Sequence, residues 1–359
     1  MTIEKLLLNN FRIHNQKTFD FSSKINCIVG SNGVGKTNVL EAIHFLAITK
    51  GFVATADRQC INHQASFFSI EAQVHLDDKT DKFSCFVQQN KPKKMMRNKK
   101  VFSKLVDYIG LLPLVVVSPY DRDIITESAD ARRKFLDAFL CQMDKAYLAT
   151  LIHYNKVLAQ RNALLKTFAK SKKFDPVQLQ IYNDQLHQYG HTIYDKRKAF
   201  IDIIGTKVAD GYKQLAPNAE VVTVRYKSQL ETGKLTVLLD QNSEKDKALQ
   251  HTSVGIHRDD LVFELNRQPM RVTASQGQQK SFLIALKLAL YNHLKASRGV
   301  KPLLLLDDVF DKLDDHRVNA LITLVNGNHF GQIFITDTHK ERIEQLMARV
   351  EVEHRIFEL

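Results

Sequence analysis

One loop near the start of this chain constrains its fold more than any other feature. It comprises Gly30, Ser31, Asn32, Gly33, Val34, Gly35, Lys36 and Thr37, which fits the P-loop pattern. An apolar run, Ile25 to Val29, precedes it, and apolar residues at helical spacing follow it up to about Lys50. Glycines allow the tight turn that brings backbone N–H groups onto phosphate oxygens, and the helix start adds its positive end. The pattern predicts a phosphate-binding strand, loop and helix, in which Lys36 reaches the β- and γ-phosphates and Thr37 binds Mg²⁺.

A second apolar run, far along the chain, ends in two carboxylates. Leu303 to Leu306 is followed by Asp307 and Asp308. Asp307 suits Mg²⁺ through water, and Asp308 stands where a general base for an attacking water is needed. Alone, this pattern is an ordinary junction of strand and loop; together with the P-loop it predicts the second half of an NTPase site.

A third motif precedes a long apolar helical stripe. It comprises Ser275, Gln276, Gly277, Gln278 and Gln279. A serine hydroxyl and a glycine N–H at a helix start form an anion site. Because one chain needs no second triphosphate cradle, we expect this helix end to cover the nucleotide of another copy in a head-to-tail dimer. The alternative is a plain helix N-cap.

Composition narrows the classes of protein. The 359 residues carry a net charge of +12 and are 44% hydrophobic, which predicts a globular chain with an excess of basic groups. That excess suits nucleic acid, an anionic membrane or merely a soluble surface. No apolar run approaches the roughly 18 residues that span a bilayer, and the first residues lack signal-peptide order, so a cytoplasmic location is expected. Cys27, Cys60, Cys85 and Cys141 lack metal-ligand spacing and are expected to be reduced.

The pattern of apolar residues divides the chain into three parts of an α/β fold. Residues 1–120 are β-rich with one helix, residues 121–218 have long helical periodicity, and residues 219–359 are again mixed. The helical part is expected to be an arm inserted into the first domain. Within it, Pro176 begins a helix that could be interrupted near Gly190 or Gly205. Further on, Leu235 to Leu239 is predicted to be a strand and Asp314 to Val325 a helix.

The order of P-loop, serine-glycine signature and acidic strand resembles the ABC-type ATPases, and the details resemble the SMC-like RecF family. The resemblance covers nearly the whole chain. It is carried by Leu8 to Arg12, Asn38 to Ile43, Ala131 to Asp137, Gly255 to Asp260, Ser275 to Gln279 and Asp307 to Asp314.

The resemblance implies an ABC/SMC-like P-loop ATPase head with an inserted helical arm. It also implies ATP and Mg²⁺ as cofactors, with Arg12, Ser275, Gly277 and Gln278 contacting nucleotide. It further implies an ATP-dependent homodimer on double-stranded DNA near single-strand gaps, with weak DNA-dependent ATPase activity. Recombinase loading with mediator proteins such as RecR, in replication and the SOS response to DNA damage, is implied as well.

Some positions depart from the family pattern. The departures are Ile256, Lys280, Tyr120 and the segment Asp311 to Asp314. The switch histidine of ABC ATPases should follow the strand that ends at Thr336. Asp337 or Thr338 occupies that place, and His339 lies beyond it.

A basic segment is the candidate contact for DNA. Its cations are Lys93, Lys94, Arg97, Lys99 and Lys100, and their binding to duplex phosphates would be sensitive to salt and independent of sequence. The alternative is a solvated hairpin. Aromatic residues are not interleaved with these cations, which favours backbone contacts over stacking on single strands.

Two other functions fit parts of the pattern. The first is the nucleotide-binding subunit of a membrane transporter, but residues 38–274 separate the P-loop from the serine turn, which is far longer than an ordinary loop. The second is a repair ATPase with its own nuclease, for which no further acidic metal cluster is visible in the sequence.

Overall fold

The computed structural model describes residues 1–54, 56–76, 78–216, 220–309, 323 and 329–359. The predicted helix from Asp314 to Val325 therefore lies outside the described residues, apart from Thr323. The chain forms two compact units, one of Met1–Asp121 with Lys287–Leu359 and one of Arg122–Leu286. None of the helices in the described ranges has the length and hydrophobicity to cross a membrane.

The strands follow one another from the first residues to the last. In chain order they are β1 (Thr2–Phe11), β2 (His14–Asp20), β3 (Ile25–Val29), β4 (Phe67–Leu76), β5 (Lys79–Gln88), β6 (Lys94–Arg97), β7 (Lys100–Val101), β8 (Leu114–Val117), β9 (Val222–Lys227), β10 (Asp260–Leu265), β11 (Gln268–Pro269), β12 (Leu303–Asp307), β13 (Ile333–Asp337) and β14 (His354–Glu358).

The helices are concentrated in the middle of the chain. Those within the described residues are α1 (Lys36–Ile48), α2 (Arg122–Thr126), α3 (Ala129–Met143), α4 (Lys145–Ser171), α5 (Pro176–Leu215), α6 (Leu235–Gln241), α7 (Ser243–Leu249), α8 (Met270–Thr273), α9 (Gln276–Arg298) and α10 (Lys340–Met347).

A parallel sheet positions the P-loop in the first unit. Its strand order is β14-β3-β13-β12-β8, and every neighbouring pair is parallel. The strands β3, β12 and β13 are buried at every position, which is the pattern of a sheet covered on both faces. Because all five strands run the same way, Val29, Asp307 and Asp337 end at one edge of this sheet.

An antiparallel sheet with the order β2-β1-β4-β5-β6-β7 completes the first unit. Strands β1 and β2 form an antiparallel hairpin, with Leu8 opposite Lys17. Helix α1 packs between strands of both sheets, and its Phe45 ring lies 6.5 Å from Phe11 and 5.2 Å from Phe68. These aromatic contacts fill the core and hold the helix that follows the P-loop in place.

All four cysteines are free and buried, in agreement with the prediction that they are reduced. Burial, aided by the charge of Asp337, raises the pKa of Cys27 to about 12. Burial likewise raises the pKa of Cys60 and of Cys141 to about 12. Thiols with such pKa values are inert side chains of the core.

The second unit is built on two long helices that pack along each other, α4 and α5. The three-stranded sheet β11-β10-β9 packs against α5 through β9. Arg161 and Arg197, both essentially unexposed, pair with Asp246 and Asp137. The unit extends to Leu286, whereas the sequence placed the end of the helical arm at residue 218. The boundaries at 120 and 218 stay predictions about the ATPase head and its arm.

Two local predictions for the second unit are wrong. Leu235 to Leu239 lies in α6 and is not a strand; Leu235 and Leu239 are both fully buried, at the spacing of one helix face. The helix from Pro176 runs through Gly190 and Gly205 without a break. At both glycines a neighbour packs where a side chain would stand, since a Cβ would lie 2.9 Å from Leu235 and 3.1 Å from the Val224 oxygen.

Candidate nucleotide-binding site

The P-loop connects β3 to α1 at the carboxyl edge of the parallel sheet. Gly33 and Gly35 have φ angles of 86° and 96°, in the region that favours glycine. At Gly35 a Cβ would lie 2.6 Å from the Ile13 Cδ1 atom and 2.8 Å from His14 Nε2, so the loop is also sterically closed to a side chain. The His14 Nε2 atom lies 3.2 Å from the Gly35 carbonyl oxygen, which ties the loop to β2.

Lys36, the first residue of α1, reaches back over the loop. Its ammonium donates to the carbonyl oxygens of Gly30, at 2.7 Å, and Ser31, at 2.8 Å. Burial lowers the pKa of Lys36, while the charges of Asp308, Asp337 and Asp307 oppose that shift. The ammonium is therefore held against the loop, and its contact with phosphates stays a prediction.

Thr37 and Asp307 meet across the sheet. The Thr37 hydroxyl donates to Asp307 Oδ1 at 2.8 Å, and the Thr336 hydroxyl donates to the same oxygen at 2.7 Å. Burial raises the pKa of Asp307, whereas the hydrogen bonds from Thr336 and Thr37 lower it. The structure thus brings together two residues that the sequence assigned to Mg²⁺, and it adds Thr336 as the group that orients the carboxylate.

These oxygens fit a magnesium ion that is also bound to phosphates. Mg²⁺ in such sites takes one or two protein oxygens, phosphate oxygens and several waters. The Thr37 hydroxyl and the Asp307 carboxylate, whose oxygens lie 2.8 Å apart, supply the protein oxygens of such a site. Within the described ranges, no group of three or more His, Cys, Asp or Glu side chains is arranged to hold a metal ion.

Asp308 follows Asp307 with a left-handed backbone, at φ 49°, which Asp tolerates better than most residues. Its backbone N–H donates to the Thr336 hydroxyl oxygen at 3.0 Å. Its charge acts on the Lys36 ammonium. The role of Asp308 as general base stays a prediction.

Asp337 ends β13 opposite Val29, the residue before the P-loop. Its side chain is fully buried, and its Oδ1 atom accepts from the His339 N–H at 2.8 Å and from Arg342 at 2.7 Å. His339 itself is largely exposed. The position after Thr336, where ABC ATPases have the switch histidine, is thus occupied by the buried carboxylate of Asp337. Sequence reasoning assigned no role to Asp337, although a polar residue at the carboxyl end of a strand beside the P-loop strand is a signal for one.

Arg12 lies in the turn between β1 and β2, with a φ of 54°. Its guanidinium forms a two-point ion pair with Glu41 on α1, Nε to Oε2 at 2.8 Å and Nη2 to Oε1 at 3.0 Å. The Glu41 carboxylate is unexposed and also accepts from the N–H of Ala54 at 2.8 Å. The ion pair between Arg12 and Glu41 was not predicted from the sequence. Contact of Arg12 with nucleotide stays a prediction.

The serine turn in the second unit caps α9. The Gln278 N–H donates to Ser275 Oγ at 3.2 Å, while the Ser275 N–H donates to Gln278 Oε1 at 2.7 Å. This reciprocal pair is a capping box. The helix-cap alternative is therefore present, and Ser275 and Gln276 are exposed. The contact of Ser275, Gly277 and Gln278 with another copy stays a prediction.

The basic segment forms the hairpin of β6 and β7, with Asn98 and Lys99 in its turn. Two of its five cations are paired within the chain, since Lys93 bonds Asp57 and Arg97 bonds Asp81. The other three, Lys94, Lys99 and Lys100, are exposed. The exposed cations of the predicted set are therefore Lys94, Lys99 and Lys100, and contact of the set with DNA stays a prediction.

Comparison with known proteins places these features in a family. The model of the RecF/RecN/SMC N terminal domain matches residues 2–355. The DNA replication and repair protein RecF of Flavobacterium johnsoniae is 46% identical, over 100% of both chains. That of Phocaeicola vulgatus is 37% identical over 99% of this chain and 96% of its own.

Solved structures agree. The recombination mediator protein RecF of the RecFOR pathway, solved with ATP, has a TM-score of 0.89 and 29% identity, covering 98% of this chain and 93% of that one. The Smc head domain of Pyrococcus furiosus, at 17% identity and a TM-score of 0.53, shares the fold alone over 98% of this chain and 92% of its own. With its α/β head of the ABC/SMC type, the chain belongs to the RecF family of the RecF/RecN/SMC group.

Proposed function

We propose that this chain is an ATP-dependent DNA-binding protein of recombinational repair and replication. The observation that carries the proposal is the meeting of Thr37 and Asp307, whose oxygens lie 2.8 Å apart although the residues are separated by 270 positions. The sequence similarity to RecF proteins, and the solved RecF structure with ATP, support the same function.

Each residue at the sheet edge has a role in binding and turnover. The N–H groups of the P-loop, Gly30 to Thr37, bind the phosphates, and Lys36 neutralises the β- and γ-phosphates. Thr37 and Asp307 hold the oxygens that suit Mg²⁺, which when bound would neutralise the phosphate charge. Asp308 accepts the proton of the attacking water, and Arg12 contacts nucleotide from the edge of the loop.

Two copies close on ATP in a head-to-tail manner. Ser275, Gly277 and Gln278 of one copy then contact the triphosphate held by the P-loop of the other. The exposure of Ser275 at the N-terminal end of a 23-residue helix supports this arrangement. Slow, weak DNA-dependent hydrolysis reopens the dimer and resets it.

The closed dimer holds double-stranded DNA near junctions with single-strand gaps, in the cytoplasm. Exposed Lys94, Lys99 and Lys100, together with the net charge of +12, favour contacts with phosphates, which weaken with salt. Recombination mediators such as RecR act with it to load recombinase, which links the chain to the SOS response after DNA damage.

Sedimentation with and without ATP and duplex DNA, at two salt concentrations, tests this function. Lys36→Ala removes the charge that contacts phosphate, and we expect ATP binding to weaken about 100-fold, with loss of ATP-driven dimerisation. The control is Lys50→Ala, which changes an exposed lysine just after the same helix. If Lys36→Ala dimerises on ATP and retains DNA as the unchanged protein does, the proposal fails.

Two further outcomes would replace the proposal with another function. Co-purification with a detergent-soluble membrane protein, without DNA retention, would indicate a transporter subunit. Nicking of gapped DNA by the pure protein would indicate an intrinsic nuclease.

A further inference from the structure

Asp337 is a fully buried carboxylate at the nucleotide edge of the parallel sheet. Parallel pairing sets it opposite Val29, and Gly30 of the P-loop follows directly. Its neighbour Thr336 orients Asp307 through a hydrogen bond of 2.7 Å. Asp337 therefore belongs to the wall of the site, although none of the roles proposed above uses it.

The two oxygens of Asp337 are in different situations. Oδ1 accepts from the His339 N–H at 2.8 Å and from the Arg342 guanidinium at 2.7 Å. Oδ2 is buried and has no hydrogen-bond partner in the described part of the chain. A buried carboxylate oxygen without a partner is costly, and such atoms are rare in native proteins. The site keeps this cost, which indicates that the charge has a use there.

The use follows from the balance of charge around Lys36. Burial lowers the pKa of Lys36, and the charges of Asp308, Asp337 and Asp307 all act to raise it. A triphosphate adds more negative charge at the same place. Asp307 and Asp337 are buried, and a buried charge repels a like charge more strongly than it does in water. A nucleotide without a cation would therefore meet an electrostatic barrier.

We propose that Asp337 makes the P-loop selective for magnesium-bound nucleotide, because its buried charge repels a triphosphate that no cation has neutralised. Asp307 and Asp337 then have opposite effects. Asp307 favours the neutralised ligand by binding it, and Asp337 disfavours the bare one. This inference rests on the proposed binding of ATP at residues 30–37.

The test is the ratio of two dissociation constants for ATPγS, measured by calorimetry in excess EDTA and in excess MgCl₂. Asp337→Asn removes the charge while keeping an oxygen for Arg342 and His339. We expect the ratio of the EDTA value to the magnesium value to fall about tenfold, as removal of one nearby charge implies. The matched control is Asp81→Asn, since Asp81 is also a buried carboxylate bonded to an arginine, but it lies in β5 of the antiparallel sheet. There the ratio should stay unchanged.

A second variant decides the matter if circular dichroism shows that Asp337→Asn does not fold. Arg342→Gln removes the cation bonded to Asp337, so the ratio should rise; an unchanged or lower ratio would overturn the inference. If the unchanged protein binds ATPγS in magnesium but folded Asp337→Asn leaves the ratio as it was, only the role of Asp337 is refuted. If the unchanged protein binds no ATPγS in magnesium, the proposed function and this inference both fail.

Discussion

Two buried aspartates show how the two units of this chain use charge differently. Asp246 and Asp337 are both unexposed, and both bond an arginine at 2.7 Å. In Asp246 each oxygen has partners, because Oδ2 accepts from Arg161 and Oδ1 accepts from the N–H and hydroxyl of Ser253. In Asp337 one oxygen has none among the described residues. For these two aspartates, the complete set of hydrogen bonds lies within the second unit and the incomplete set lies at the nucleotide edge.

The rest of the second unit extends the comparison. Arg197 on α5 bonds both oxygens of Asp137 on α3 at 2.8 and 3.0 Å, and it donates to the Ile256 carbonyl oxygen at 2.9 Å. Its contacts join two helices to the turn before β10. We interpret these ion pairs as fixing the packing of the second unit, whereas the proposed role of the carboxylates at the P-loop is to set the affinity of the loop for ligand.

The largest expected effect comes from breaking the Asp246 ion pair. Asp246→Ala leaves Arg161 charged and buried, so the free energy of unfolding should fall by about 3–5 kcal/mol. Urea denaturation of the full chain measures it, with exposed Asp240→Ala as the control. Affinity for ATPγS should not change. A loss of stability below about 1 kcal/mol would contradict the structural role of the pair.

A smaller effect concerns acid. Burial lowers the pKa of His257 to about 4, and this neutral ring lies 2.8 Å from the Tyr154 hydroxyl and 3.1 Å from the Thr252 carbonyl oxygen. The pKa of histidine in the unfolded chain is about 6.5. The contribution of the neutral His257 ring to the free energy of unfolding is therefore complete above that pH and is lost as the pH falls to about 4. We expect on the order of 2 kcal/mol, measured as the unfolding free energy against pH.

His257→Gln should flatten this pH dependence in the window between the two values, whereas His63→Gln, at an exposed histidine, should preserve it. If both variants keep the slope of the unchanged protein, His257 is not the source of the acid sensitivity. The buried contacts of His257 would then not count among the polar contacts that stabilise the second unit.

The smallest effect concerns the cap of α9. Gln278→Ala removes one half of the capping box, and the free energy of unfolding should fall by about 1 kcal/mol. Gln276→Ala, at the exposed first residue of the helix, should cost less. Thermal denaturation measures both. A loss well above 1 kcal/mol would mean that the turn stabilises the second unit beyond capping; a loss of ATP-driven dimerisation in Gln278→Ala alone would support its proposed contact with another copy.

Local sequence signals predicted the elements at the center of the site because each element is a contiguous segment of the chain. The strand from Ile25 to Val29 is found at the predicted residues, and the P-loop and the helix follow it. The run ending in Asp307 is likewise a buried strand. Each of these elements is specified by an apolar run or by glycines at fixed spacing, which act within a few residues.

The remainder depends on contacts that no local pattern encodes. Thr336 meets Asp307 only because β12 and β13 pair in one particular register. Arg161 and Arg197 lie in helical patterns where a charged residue normally indicates a solvent face, yet the packing of α4 and α5 buries them. The run from Leu235 to Leu239 was too short to distinguish a strand from a buried helix, and tertiary contacts decided for the helix.

The unbroken helix α5 spans 40 residues, about 60 Å, and two of its anchors lie far apart along that rod. Asn183 accepts a hydrogen bond from Arg161, and Arg197 forms an ion pair with Asp137. The anchors are separated by about four full turns, so both point the same way. Inserting one residue between Asn183 and Arg197 would rotate one of them about 100° around the helix axis relative to the other, so only one of the two contacts could still form. The partners of Asn183 and Arg197 therefore fix the number of residues between them in α5.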